Sequence, residues 1–330
     1  MMCLFPAHRA VSRDVRLKPL WGENSMYAYV KWLVVAQLWI VYTFAAIAKL
    51  YPDWFDLSFV SQLMAPKAGY PIIGELLQQP WVHRGVVWFG IGYDFLVIPL
   101  LLWRPTRMFA FGASVFFHLF NAVVIQVGIF PFLSLALMVF FFDPELVRRR
   151  FFPKKPAPQP REFRIPKGAA AIVWGMGLYL ALQLALPLRH HLIKGDVLWT
   201  EEGHRLSWRM MLRTRQGDLR FRVEDLRTGF KEAVRLDDYL TPDQKEKVMA
   251  YPDFIWQFAR RLKEKYAAEG HEVAVYARGR LRINRRPFYP FIDETVDLAS
   301  EPWDPLRHHR WILPEPTGWP GQAAESPEAP

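Results

Sequence analysis

Residues 108–142 read MFAFGASVFFHLFNAVVIQVGIFPFLSLALMVFFF, 35 positions without an aspartate, glutamate, lysine or arginine. As a single α-helix this run would reach about 52 Å, far more than the ~30 Å hydrocarbon core of a bilayer. It has to turn, and Gly128-Ile129-Phe130-Pro131 near its middle supplies the breakers, which predicts two short spans. Three more apolar runs flank it, at 32–48, at 85–103 with only Asp94 interrupting, and at 168–188. Each is near or above the roughly 17–25 residues that cross a bilayer, and four such runs seldom coexist in a soluble chain. The reading is a polytopic α-helical membrane protein of about five spans.

Basic residues in the short connections orient the spans. Arg148, Arg149, Arg150, Lys154, Lys155, Arg161, Arg164 and Lys167 fill a Pro-rich linker at 144–167, which is expected on the cytoplasmic side. Counting backward places Arg104, Arg107 and the N-terminal segment 1–27 inside, and the connection from Lys49 to Arg84 outside. A membrane domain at 28–143 and a last span at 168–188 follow, and the last span delivers residues 189–314 to the external side. The net charge of +10 and pI near 9.7 belong largely to this linker and the span flanks, so nucleic-acid binding is not expected. Cys3 is the single cysteine, and no Cys/His spacing resembles a zinc site. His190-His191 and His308-His309 are expected as solvated surface pairs.

After the last span the pattern changes. Leu206, Trp208, Met210 and Leu212 alternate as a strand would, followed by Leu219, Phe221 and Val223 with Gly217 as a turn residue between them. A third strand at 230–236 completes an expected antiparallel meander. Thr241-Pro242-Asp243-Gln244 has the composition of a capping box, and Val248, Tyr251, Ile255, Phe258, Leu262 and Tyr266 recur at helical spacing, with a break at Pro252 and a stop at Gly270. Val273, Val275 and Tyr276 begin one further strand and 281–284, after Gly279, another. The expectation is a C-terminal extramembrane α+β domain, a small antiparallel sheet with helices, ending in a disordered tail at 315–330 rich in Pro, Gly, Glu and Ala.

Ionisable groups at membrane depth are costly and mark function. Lys49 ends the first span in Tyr42-Thr43-Phe44-Ala45-Ala46-Ile47-Ala48-Lys49-Leu50-Tyr51-Pro52-Asp53-Trp54. A snorkelling interfacial lysine is the bland reading. Against it, Lys49 lies on the outer side, where charge bias asks for no lysine, and Ala45, Ala46 and Ala48 allow close helix approach. Burial would favour the neutral amine, a strong base. Asp94 reads equally as a helix-packing partner or a site residue. His118 lies mid-span, with Asn121 one turn later on the same helix face.

These residues resemble a known family. The run from Phe44 through Ala48-Lys49-Leu50 to Asp53-Trp54 resembles the catalytic-lysine segment of vitamin K-dependent γ-carboxylases and their bacterial homologues. Phe117-His118-Leu119-Phe120-Asn121 with Gly128-Ile129-Phe130-Pro131 resembles the family's membrane histidine segment. Further matches follow in family order: Ser207-Trp208-Arg209-Met210-Met211, Asp238-Tyr239-Leu240-Thr241, Pro252-Asp253, Gln257-Phe258-Ala259, Ile283-Asn284, Phe291-Ile292-Asp293, Val296-Asp297-Leu298 and Trp311-Ile312-Leu313-Pro314.

The resemblance implies a bacterial inner-membrane enzyme with a periplasmic C-terminal domain, an HTTM-type membrane domain and no metal. It would use reduced vitamin K or menaquinol with O2 and CO2, coupling epoxide formation to removal of a glutamate γ-proton and carboxylation of a glutamate-containing protein or peptide. Lys49 matches the base, His118 and Asn121 would line the quinone pocket, Trp54 is a further quinone contact, and Trp208 a substrate or domain-interface contact. In the family several spans precede the segment Leu4-Phe5-Pro6-Ala7-His8-Arg9-Ala10, which here starts near Met1. An upstream extension or a separate chain is expected to supply them. The alternative is a non-catalytic membrane scaffold of the same fold. A transporter fits less well, because no internal repeat is visible.

Overall fold

A computed structural model describes residues 13–18, 26–154 and 165–319. The N-terminal motif around Leu4, much of the basic linker and residues 320–330 lie outside the described residues. The chain forms two compact units, Met1–Ile47 with Trp88–Ala185, and Ala48–Val87 with Leu186–Pro330. Residues 48–87, expected inside the 28–143 membrane domain, therefore pack with the C-terminal unit.

The first unit is helical. Its helices are α1 (Ala28–Ala48), most of α5 (Pro80–Leu102), α6 (Arg107–Phe120), α7 (Phe130–Leu137), α8 (Pro144–Phe151) and most of α9 (Ala169–Leu188). Among the described residues four helices are long and apolar enough to cross a membrane, Ala28–Ala48, Pro80–Leu102, Arg107–Ile125 and Ala169–Leu192. The long apolar run does break where its glycine and proline stand, after Gln126 and Gly128 in the left-handed region. Its second half is short: Phe130–Phe141 bends by 119° into Pro144–Phe151, so a fifth span exists only if that bent pair counts as one. Asp143 caps α8 through Glu145 N and Pro144 occupies its first position, which starts a new helix in a new direction. Val34, Leu38, Tyr42, Val97, Leu101, Met138 and Phe141 belong to this unit's buried cluster. Gln37 joins α1 to α9, accepting from Tyr179 Oη at 2.8 Å and donating to Gln183 at 3.1 Å, polar pairing of the sort that joins helices in lipid.

The second unit holds a four-stranded antiparallel sheet of order β2-β1-β3-β4, from β1 (Arg215–Asp225), β2 (Lys231–Val234), β3 (Val273–Ile283) and β4 (Tyr289–Ile292). Three short helices, α2 (Pro52–Phe55), α3 (Ser58–Met64) and α4 (Gly74–Leu77), come from residues 48–87, and α10 (Val197–Thr200) precedes the sheet. Helices α11 (Pro242–Ala250) and α12 (Pro252–Ala268) cover the sheet, and α12 buries Ile255, Phe258, Ala259 and Leu262 at the spacing of one helix face. Thr241 and Gln244 form the expected capping box.

Several local expectations are corrected. The alternating stretch 206–212 is no strand, because Leu206, Trp208 and Met211 have φ of 62°, 57° and 54°, which extended backbone cannot accommodate. No meander of three consecutive strands forms: β1 and β2 make a hairpin, and β1 pairs on its other side with β3. Gly217 lies inside β1, where a Cβ would stand 1.6 Å from the Met249 carbonyl oxygen of α11. Gly279 does not divide two strands. It lies within β3 at a register shift against β4, with a Cβ position blocked by Leu219 and Ile292. Strand β4 was not foreseen. The tail placed at 315–330 begins too early, since Trp319 is buried with its ring 5.4 Å from Trp199.

Candidate active site

Helix α1 stops at Ala48 because Pro52 follows closely and forces Tyr51 into extended backbone, with φ −137° and ψ 140°. Lys49 occupies the turn, where the Tyr51 amide donates to the Lys49 carbonyl at 2.8 Å. The lysine is 7% exposed, so it does not snorkel. Its Nζ lies 5.7 Å from the centre of the Trp54 ring, a cation–π arrangement that holds the amine against an apolar wall. Trp54 is itself buried and stacks on Phe59 at 5.5 Å. Ala45, Ala46 and Ala48, the small residues that suggested close approach, are all buried.

Sequence reasoning did not find what surrounds this turn. Asp53, 2% exposed, accepts from Asn284 Nδ2 at 2.6 Å and from both terminal nitrogens of Arg286. Burial pushes its carboxyl up, but the hydrogen bonds from Arg286 and Asn284 and the guanidinium charge prevail and hold it below its ordinary value. Tyr51 packs with Ala48, Val197, Leu198 and Leu212, and burial pushes its phenol up. The pairing could not be read from sequence, as Asp53 and Arg286 stand 233 positions apart.

The segment after α10 concentrates charge. Glu201 pairs with Arg213 and, at 3.2 Å, with Arg215. Burial pushes Arg215 down to about 10. It lies between the rings of Tyr251 and Phe291, at 5.6 and 5.4 Å. The indole nitrogen of Trp208 and the Nε atoms of Arg209 and Arg213 are buried without a hydrogen-bond partner among the described residues. The pair His308-His309 is not a solvated surface pair: each Nδ1 lies 2.7 Å from a different oxygen of Glu202, and His309 is buried. His190 is likewise half-buried, its Nδ1 2.7 Å from the Pro187 carbonyl.

In the helical unit, His118 on α6 is fully buried. Its Nε2 meets Tyr42 Oη at 2.8 Å and Tyr93 Oη at 3.3 Å, while Nδ1 has no partner among the described residues. Phe117 stacks on Tyr93 at 4.0 Å and Phe130 lies 6.2 Å from the imidazole, so flat rings surround it. Sequence reasoning did not single out the two tyrosines. The signal was a mid-span hydroxyl, which needs a partner when buried. Asn121 does not simply extend α6; it opens a π-helical turn, Asn121–Ile125, a distortion frequent at functional sites. Asp94 is buried on α5. The five predicted site residues thus fall into the two units: Lys49, Trp54 and Trp208 in one, His118 and Asn121 in the other.

Two known domains match this chain: residues 1–146 match the HTTM domain and residues 169–318 the lumenal domain of vitamin K-dependent gamma-carboxylase. The chain belongs to the vitamin K-dependent γ-carboxylase family. No solved structure matches it. Its apolar helices and these domains make it an integral membrane protein, and the two family domains support a vitamin K-dependent carboxylase-like function. Around His118 a buried imidazole nitrogen lacks a hydrogen-bond partner among the described residues, and the rings of Tyr93 and Phe117 lie beside it. Such a nitrogen is suited to a hydroxyl or carbonyl oxygen of a flat ligand.

Proposed function

We propose that this chain is a quinol-dependent membrane enzyme that couples quinol oxidation to the carboxylation of glutamate in a protein or peptide. The observation that carries the reading is the burial of Lys49 in its turn against Trp54. Bound reduced vitamin K or menaquinol supplies, with O2, the base strength that glutamate γ-deprotonation demands, and CO2 is the carbon taken up. The chain's own residues do the rest. Lys49 Nζ takes the quinol proton, and the apolar surroundings keep competing water away. His118 Nδ1 and Asn121 hydrogen-bond the quinone oxygens, and Trp54 fixes the amine. Arg209, whose buried Nε has no hydrogen-bond partner among the described residues, suits a substrate carboxylate. The basic residues flanking the spans favour an external, periplasmic C-terminal domain.

The test is quinol epoxide formation by the purified protein in detergent or nanodiscs. Epoxide that disappears with Lys49→Ala in folded protein supports the reading. No epoxide from any folded version turns the interpretation to a non-catalytic scaffold of the same fold.

A further inference from the structure

We propose that Arg286 and Asn284, acting through Asp53, are positioning residues for Lys49, a clamp by which the end of β3 holds the lysine turn in register. The inference rests on the reading of Lys49 as the base. Asp53, on α2, stands four residues beyond Lys49, and Pro52 between them leaves the backbone little freedom. Three donors, two from Arg286 and one from Asn284, converge on a carboxylate that is nearly sealed from water.

The anchor is itself built. Asn284 has a left-handed φ of 53°, a conformation asparagine tolerates better than most residues. Its Oδ1 accepts from Thr214 N at 2.9 Å and its own amide donates to Thr214 O at 3.0 Å, so both halves of the residue are committed. Arg286 lies 4.8 Å over the Trp319 ring, which fixes the plane of the guanidinium. A bidentate fork on a buried carboxylate defines distance and angle together, whereas a lone lysine would define only distance. Lys49 and Asp53 are four residues apart, so a displaced Asp53 moves the Trp54 ring and the amine beside it.

A double-mutant cycle tests the clamp in the full chain, using Arg286→Met, Lys49→Ala and both together. Quinol epoxidation is followed alongside labelling of Lys49 by an amine-reactive reagent read by mass spectrometry. The expected result is a fall in kcat of about 100-fold for Arg286→Met, the scale of a misplacement near 1 Å, with the quinol KM little changed. The double variant should be no slower than Lys49→Ala, and labelling of Lys49 should accelerate in Arg286→Met. Arg286→Lys should restore part of the rate. Additive losses in the cycle, or labelling unchanged in folded Arg286→Met, overturn the clamp. If Lys49→Ala keeps full activity, the base reading fails instead, and labelling still decides whether Arg286 orders the turn. Should Arg286→Met not fold, Asn284→Ala, which removes one donor, carries the same cycle and the same readouts.

Discussion

At the scale of single residues, the chemistry turns on how few polar groups are buried and what each one meets. Lys49 is expected to be indispensable, since losing a general base costs roughly 100- to 10,000-fold, and single-turnover epoxidation of Lys49→Ala against the parent measures it. His118 is a binding group in this scheme, so His118→Leu should raise the quinol KM about tenfold, the worth of one hydrogen bond, and leave kcat less affected. Tyr42→Phe removes the 2.8 Å contact to His118 but leaves Tyr93. It should lower stability by about 1 kcal/mol, which a detergent melt can detect. Lys49 and His118 stood out in the sequence because a charge or imidazole beside apolar runs has few idle explanations, and both are buried; Trp54 stood out only through the family resemblance. Asp53, Arg286 and Asn284 did not, because a buried carboxylate and an exposed one look alike in sequence until the partner, far along the chain, is brought to it.

Periodicity could be trusted for elements wherever burial is one-sided. Helix α12 and its capped neighbour α11 follow the expected spacing and signals, since one face packs on the sheet and the other meets water. The same logic failed at 206–212, where hydrophobic alternation coincides with three left-handed residues, and charge burial around Glu201, not strand pairing, sets the backbone's surroundings. The glycines were misread in the same manner. Gly217 is required by the approach of α11 to β1, not by a turn. Gly217→Ala has no room for its methyl group and should destabilise the folded chain by about 1–3 kcal/mol or force α11 away, seen as a lower melting temperature and faster amide exchange in α11.

The whole molecule combines a membrane unit with an ionised, partly buried extramembrane unit, and this makes its stability depend on pH. Burial, reinforced by Arg213 and Arg209 and opposed by Glu201, pushes His204 down to about 4 from 6.5. The unfolded chain therefore takes up that proton near pH 6.5 and the folded chain only near 4, so acidification through this interval favours unfolding, by up to about 3 kcal/mol. Asp53 acts lower still: its folded value is depressed, so its contribution is present above about pH 4 and is lost as pH falls further. Melting temperature recorded from pH 7 to 4 should fall less steeply in His204→Gln than in the parent. By itself the sequence determined that the chain carries several apolar helices long enough to cross a membrane, and that an α+β domain follows. These properties rest on local length, apolarity and period, which act within a few turns of the chain. Only the tertiary structure decided that residues 48–87 belong with the C-terminal unit, that Lys49 is buried, and that Asp53 is held by Arg286 and Asn284. Desolvation and ion pairing depend on which distant side chains close around a group, and no local pattern records that.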